Sequence, residues 1–314
     1  MKKILVTGAL GQIGSELVPE LRKKFGSENV VAVDYNKEPS EEFQNSGPFE
    51  NADIRDKEKM RALIEKYQIN IIYHLVGVLS AVGEKNPNLA WDVNMNGLKN
   101  ILDLAVEYKI EKLFWPSSIA AFGPTTPLLN TPQKTILEPT TMYGVTKVSG
   151  ELLCQYYFIK YGLDVRSLRY PGIISSKTLP GGGTTDYAVA IYYDAIKKGS
   201  YDCFVKKDTV LPMMYMDDAV RATLELMEAP KEKITIRTSY NLAAISFSAE
   251  ELAKNVAKHI PNFKCTFTPD ERQKIADSWP KTIEDTSARE DWGWQHQFDL
   301  DKISVEMIKN LKSC

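Results

Sequence analysis

The first 34 residues constrain this chain more than any other stretch. Lys2 to Thr7 carries the apolar run Ile4-Leu5-Val6 with no internal breaker, the pattern of a short buried strand. It runs into Gly8-Ala9-Leu10-Gly11-Gln12-Ile13-Gly14 and then into a segment with Ile13, Leu17, Leu21 and Phe25 at helical spacing. A second apolar run, Val30 to Val33, ends in Asp34. Glycines in such a turn let the backbone approach a phosphate closely, and the helix behind them offers free N–H groups to the anion. Asp34 stands where a carboxylate can accept hydrogen bonds from both ribose hydroxyls of an adenosine and would repel a 2′-phosphate. The unit therefore predicts a dinucleotide site that prefers NAD to NADP.

The alternation continues. Phe49 to Asp53 reads as a short strand whose end, Asp53-Ile54, could flank an adenine ring, and Asn36 to Gly47 reads as a loop. Lys57 to Tyr67 has helical spacing, and Ile69 to Val76 is a near-continuous apolar run of the kind buried on both faces, stopping at Gly77. A long helix is predicted over Asn86 to Lys109, then a strand at Leu113-Phe114-Trp115, a helix from about Tyr143, and a strand from Asp164 to Tyr170. Strands alternating with helices imply a Rossmann-type, doubly wound parallel α/β sheet with ligands at the carboxyl ends of its strands. Beyond Pro171 the regularity breaks down. The division expected is 1–171 as an NAD-binding domain, with a segment near 217–243 returning to it, and 172–314 as mainly a smaller α+β substrate-binding lobe. Asp217 and Asp218 read as the start and N-cap of a helix, and Trp292 and Trp294 as packing anchors.

The sharpest chemical signal after the N-terminus is Tyr143-Gly144-Val145-Thr146-Lys147. Residues four apart share a helix face, so the ammonium sits one turn from the phenol. A phenol titrates near pH 10, and a neighbouring cation is expected to lower that value and make Tyr143 a general base. Ser118, at the carboxyl end of the preceding strand, could hydrogen-bond the oxygen that Tyr143 deprotonates; Ser117 is the competing hydroxyl. His74 ends a buried strand and reads as a core histidine.

These residues carry a family resemblance. The chain resembles an extended short-chain dehydrogenase/reductase of the NAD-dependent epimerase/dehydratase type, through Thr7 to Gly14, Asp34, Asp53, His74-Leu75, Asn94, Ser117-Ser118, Tyr143 to Lys147, Arg169-Tyr170-Pro171, Asp217 to Ala219, Asp285 to Ser287 and Trp292 to Trp294. The resemblance implies Ser118, Tyr143 and Lys147 as the catalytic set, with Lys147 also bonding the nicotinamide ribose. It implies a cofactor cleft built from Gly8, Gly11, Gln12 and Ile13, from Asp34, Asp53 and Ile54, and from Leu75, Gly77, Asn94 and Ile173 with Tyr143 and Lys147. Sugar-nucleotide members differ after His74-Leu75 and after Arg169-Tyr170. In both places, and in Gly181-Gly182-Gly183-Thr184-Thr185-Asp186-Tyr187, this chain resembles the L-threonine 3-dehydrogenase branch. That branch implies L-threonine as substrate, held by Ser80, Thr184 and Thr185 with Ser118 and Tyr143, no metal, and a homodimer formed through the 86–109 and 143–162 helices. The Gly181–Thr185 loop is expected to be a substrate lid and a possible backbone anion nest, and Trp279 a side chain that could close over the substrate. A sugar-nucleotide 4-epimerase or dehydratase with recycled NAD, and an NAD-sensing regulator without chemistry, are the alternatives on the same scaffold.

Composition narrows the partners. A formal net charge of -2 over 314 residues without long like-charge runs argues against nucleic acid and anionic membranes. An apolar strand at residue 2 leaves no room for a leader and no run is long enough to span a bilayer, so the expectation is a cytoplasmic protein. The scattered cysteines Cys154, Cys203, Cys265 and Cys314 read as reduced thiols, and His74, His259 and His296 lie too far apart for a zinc motif.

Overall fold

A computed structural model describes residues 2–313, so Cys314 lies outside the described residues. Twelve strands form three sheets: β1 (Ile4–Thr7), β2 (Val30–Asp34), β3 (Phe49–Asn51), β4 (Ile71–His74), β5 (Lys112–Ser118), β6 (Val165–Tyr170), β7 (Gly172–Ile174), β8 (Ser200–Cys203), β9 (Val210–Tyr215), β10 (Tyr240–Asn241), β11 (Ile245–Ser248) and β12 (Lys264–Phe267). The main sheet has seven strands in the order β10-β6-β5-β4-β1-β2-β3, and every pairing in it is parallel. Strand order reverses between β1 and β4, which opens a crevice at their carboxyl ends.

Side-chain alternation along β1 supplies both faces of the sheet. Ile4 and Val6 pack with Leu17, Val18 and Leu21 of the Gly14–Phe25 helix on one side. On the other, Leu5 joins Met60 and Leu63 of the Lys57–Tyr67 helix and Leu98 and Ile101 of the Gly97–Glu107 helix. A third core gathers Ile174, Tyr187, Tyr192, Leu211, Met213, Leu252 and Met307 around the small β11-β9-β7 sheet, with β8 and β12 paired beside it. Short length hid β7, β8, β9 and β11 in the sequence, and Pro212 inside β9 and Gly172 at the head of β7 disguised them further, whereas β12 is the short strand expected between two helices over Ser248 to Ser278.

The helix predicted over Asn86 to Lys109 forms as one continuous run with a local change of winding inside it. Pro87–Trp91 and Gly97–Glu107 are α-helical, and Asp92–Asn96 between them is a π-turn. The extra residue turns Asn94 inward, where its Oδ1 accepts the Val78 N–H at 2.7 Å and its Nδ2 donates to Thr146 Oγ1 at 3.0 Å. Gly97 follows because a Cβ there would lie 2.2 Å from Ile54 Cδ1. Three short α-helices were not anticipated: Glu41–Asn45, capped by the Ser40 hydroxyl inside the expected loop, Ser80–Lys85 and Thr286–Trp292.

Asp217 and Asp218 do not cap the helix that contains them. Met216–Glu228 starts at Met216, with Tyr215 at its cap and no side-chain bond there. The buried Asp218 carboxylate instead accepts Gln297 N–H at 2.9 Å, Phe298 N–H at 3.1 Å and Arg221 at 2.7 Å, fastening the segment before the last helix to this one. Trp294 is fully buried beside it and donates its indole N–H to Ala243 O at 3.0 Å. Replacing Asp218 by Ala orphans the two backbone donors and takes one of three partners from Arg221, which keeps Glu225 and Gln295 O, and should cost about 3 kcal/mol of stability. Urea unfolding checks the cost, and limited proteolysis should then cut first between residues 295 and 299.

Candidate active site

The glycine turn is required by close backbone packing. Gly8 adopts φ +73°, and a Cβ there would meet Val76 N at 2.9 Å; one on Gly14 would meet Gly8 O at 2.3 Å. No side chain caps the Gly14–Phe25 helix, and Gly11 to Gly14 line the crevice, the arrangement an anion at a helix N-terminus requires. Asp34, at the end of β2, is fixed beside the turn: Oδ2 accepts Leu10 N–H at 2.7 Å and Oδ1 accepts Tyr35 N–H at 2.8 Å. A cavity of about 260 Å³ opens here, lined by Gly8, Gly11, Asp34, Asp53, Ile54, Leu75 and Gly77. Hydrogen bonds from Arg55 hold the Asp53 carboxyl below its usual range. A cradle that side chains would fill, with a fixed carboxylate at its edge, fits a dinucleotide's pyrophosphate and adenosine ribose. A second cavity, lined by Gly11, Gln12, Ile13 and Gly14 and by Thr178 to Gly181 opposite, continues the groove.

The groove leads to a cavity of about 150 Å³ whose walls include Tyr143, Lys147, Ser118, Ser80, Thr184, Thr185, Gln12, Ile13, Leu75 and Ile173. The Met142–Tyr161 helix carries Tyr143 and Lys147, and the Thr141 hydroxyl caps its start by accepting Gly144 N–H at 3.1 Å. Lys147 Nζ donates to Pro116 O at 2.5 Å and lies 4.6 Å from the Trp115 ring centroid and 5.3 Å from that of Tyr143. The expected lowering of the phenol is corrected by burial. Exclusion of water pushes Tyr143 up to about 12, a hydrogen bond with Ser118 offsets this only in part, and burial pulls Lys147 down to about 7. In the cofactor-free protein, desolvation of the phenol outweighs the neighbouring cation. Ser118 also accepts Ala120 N–H at 3.2 Å, while Ser117 turns away and donates to Glu151 Oε1 at 2.6 Å.

One assigned residue, Asn94, acts from behind the wall. Asn94 is committed to both backbone groups of Val78 and to Thr146, and so holds the loop after β4 without lining a cavity. Gln12 bridges the glycine turn to β7 through Ile173 O at 3.3 Å. His74 is fully buried, its Nδ1 2.7 Å from Thr7 Oγ1, and burial pulls it down to about 3, so it is neutral.

The structure adds two residues that sequence reasoning passed over or left open. Asp186 fills the anion nest of the glycine loop from within, accepting Gly182 N–H at 2.8 Å and Gly183 N–H at 2.7 Å. Burial nonetheless raises its carboxyl. It is the one acidic residue, and Lys147 the one basic residue, among the described residues lining the inner cavity. An Asp three residues after a Gly-Gly was the available signal, since an Asx carboxylate readily bonds nearby backbone N–H groups. Trp279, 6% exposed, forms part of the same wall. Among the described residues no group of His, Cys, Asp and Glu could hold a metal ion, and no helix is long and apolar enough to cross a membrane.

A crevice at the strand-order reversal, a glycine turn with a fixed acid, and a Ser/Tyr/Lys wall define an NAD-dependent oxidoreductase scaffold. The chain belongs to the NAD-dependent epimerase/dehydratase family, whose model matches residues 4–243. The mitochondrial L-threonine 3-dehydrogenase of Bos taurus is 51% identical over 308 residues, 98% of this chain and 82% of that protein. Among solved structures, a monomeric L-threonine 3-dehydrogenase from a metagenome database superposes with a TM-score of 0.95 at 54% identity, covering 99% of each chain. The holo form of the GalE-like L-threonine dehydrogenase of Cupriavidus necator gives 0.95 at 48% identity, covering 98% of this chain and 99% of that one.

Replacing Asp34 by Ala tests its expected role as acceptor for an adenosine ribose. NADH affinity should fall about tenfold, the value of a charge-assisted hydrogen bond, while NADPH binding improves. Fluorescence titration with the two cofactors measures both.

Proposed function

We propose that this protein oxidises the C3 hydroxyl of L-threonine to 2-amino-3-oxobutanoate with NAD, without a metal. The observation that supports this reading most is a single cavity lined by Tyr143, Lys147, Ser118 and a lone carboxylate, Asp186; Tyr143 and Lys147 would serve as its proton-transfer pair. The similarity to L-threonine 3-dehydrogenases over nearly the whole chain supports the same reading. Residues 1–171, with the segment near 217–243, would carry the cofactor, and 172–314 would mainly carry the substrate.

NAD bound in the groove supplies the hydride-accepting carbon and, in its oxidised form, a positive charge that favours a nearby phenolate. Gly8, Gly11, Gln12 and Ile13 would hold its pyrophosphate, Asp34, Asp53 and Ile54 its adenosine, and Leu75, Gly77, Ile173 and Lys147 its nicotinamide half, with Asn94 supporting the loop between them. Tyr143 as phenolate takes the C3 hydroxyl proton, and Ser118 donates a hydrogen bond to that oxygen and fixes its position. Lys147 stabilises the phenolate across one helical turn. Ser80, Thr184 and Thr185 hydrogen-bond the ammonium and carboxylate groups of the amino acid, and Asp186 offers the ammonium a counter-charge. A sugar nucleotide is disfavoured because Lys147 is the one basic side chain described in the cavity wall and is already engaged by Pro116.

Purified protein with NAD and L-threonine should produce NADH with or without a chelator, and 3-hydroxybutyrate, which lacks the ammonium, should be a poor substrate. Absence of threonine-dependent NADH would reject the assignment. Tyr143→Phe should lower kcat at least about a hundredfold, the scale of a lost general base.

We further propose a homodimer. Leu152, Tyr156 and Ile159 on the Met142–Tyr161 helix are 57%, 46% and 72% exposed, and Leu89 and Trp91 on the neighbouring Pro87–Trp91 helix are 40% and 44% exposed. Two such helices from each copy would bury this apolar face as a four-helix bundle. Light scattering should give a dimer mass for the native protein and a monomer mass for Leu152→Glu/Ile159→Glu; a native monomer would reject the proposal.

A further inference from the structure

Below the Tyr143–Lys147 pair, the same helix face carries a third polar residue. Glu151 follows Lys147 by one turn and is 1% exposed. Its carboxylate joins three elements. Oε1 accepts the Ser117 hydroxyl at 2.6 Å and Arg169 Nε at 2.8 Å, and Oε2 accepts Arg169 Nη2 at 2.6 Å. Ser117 lies between Pro116, whose carbonyl receives the Lys147 ammonium, and Ser118, whose hydroxyl meets Tyr143. Arg169, on β6, is locked in turn by Gln133 O at 3.2 Å and Asn241 Oδ1 at 3.0 Å. The last turn of β5 is thus pinned to the catalytic helix through one buried anion.

We propose that Glu151 is a positioning residue for the proton transfer: it sets the end of β5 against the helix and keeps the Lys147 ammonium charged. This rests on reading Tyr143 and Lys147 as the proton-transfer pair. Lys147 is faced by Tyr143, Glu151 and Cys154 from its own helix and by His74 from β4, with Arg169 of β6 behind Glu151. Cys154 is a buried thiol that burial holds protonated, and His74 is neutral, so neither supplies an anion. Glu151 is the remaining negative charge that supports the ammonium against the burial that pulls it down. The cation is needed for a phenolate at Tyr143, so its loss on the alkaline side would end turnover. Removing Glu151 should move that limb to lower pH.

The test reads Lys147 directly and needs neither NAD nor threonine. Only the neutral amine reacts with acetic anhydride, so the pH dependence of Lys147 acetylation in the cofactor-free protein, followed by peptide mass spectrometry, gives its midpoint. In Glu151→Gln the midpoint should fall by about one pH unit, the scale of a lost neighbouring charge. The double variant Glu151→Gln/Arg169→Gln leaves no unpaired buried ion and should still show a fall, smaller than in the single variant because the Arg169 cation is removed with the anion. Ser117→Ala, which keeps the carboxylate, should leave the midpoint in place. The alkaline limb of kcat should move in the same direction in both Glu151 variants, with the KM for threonine little changed. An unchanged midpoint in the double variant would overturn the proposal. A wild-type protein without threonine turnover would reject the proposed reaction while leaving the labelling result on Glu151 intact.

Discussion

An ammonium buried at the carboxyl end of a parallel sheet is the constraint on which this site turns. Lys147 is 5% exposed, and its Nζ donates to Pro116 O. A lone charge in such a place is costly unless it is bonded and compensated. The Pro116 carbonyl, the faces of Trp115 and Tyr143, and the Glu151 carboxylate one turn away supply that compensation. The helix that carries Lys147 must therefore dock on β5 in one register. Gly150 permits the approach, since a Cβ there would lie 2.4 Å from the Trp115 ring.

Docking of that helix builds the cleft from two directions. The Asn94–Thr146 hydrogen bond connects the helix to the π-turn, and the π-turn holds the loop after β4 against the glycine turn. Ser117 and Arg169 connect it to the strands on the other side. The groove for the dinucleotide and the cavity for a small substrate thus share one rigid wall. The opposite wall is the glycine loop, which Asp186 gathers by bonding its backbone N–H groups. Between the two walls, the described lining of the inner cavity holds one acidic and one basic side chain.

Much of the sheet was legible because its signals are local. The Lys57–Tyr67 helix and the strand ending at Asp34 occur where periodicity predicts them, since a fully buried strand and an amphipathic helix leave strong patterns. The doubly wound class and the family followed from the same residues. Signals failed where tertiary contacts override local pattern. The π-turn at Asp92–Asn96 leaves helical spacing almost intact, so its effect on Asn94 is invisible in one dimension. Asp218 resembles a cap by composition, yet its partners are the backbone of Gln297 and Phe298, some eighty residues away in sequence. The small strands around β9 are too short, and too interrupted by Pro212, to announce themselves.

The sequence by itself determined the strand–turn–helix order, the need for glycine at Gly8 and Gly14, the acid at Asp34, and the one-turn spacing of Tyr143 and Lys147. These are matters of backbone sterics and helical period, which act over a few neighbouring residues. Only the tertiary structure decided the electrostatics. Burial sends the Tyr143 phenol up and the Lys147 ammonium down, contrary to what the isolated pair suggests. It also decided that the anion nest is occupied by the chain's own Asp186 and that Glu151 stands behind the pair. Those outcomes depend on how much water is excluded and on which distant charges the fold brings near, and neither quantity is written in the spacing of residues along the chain.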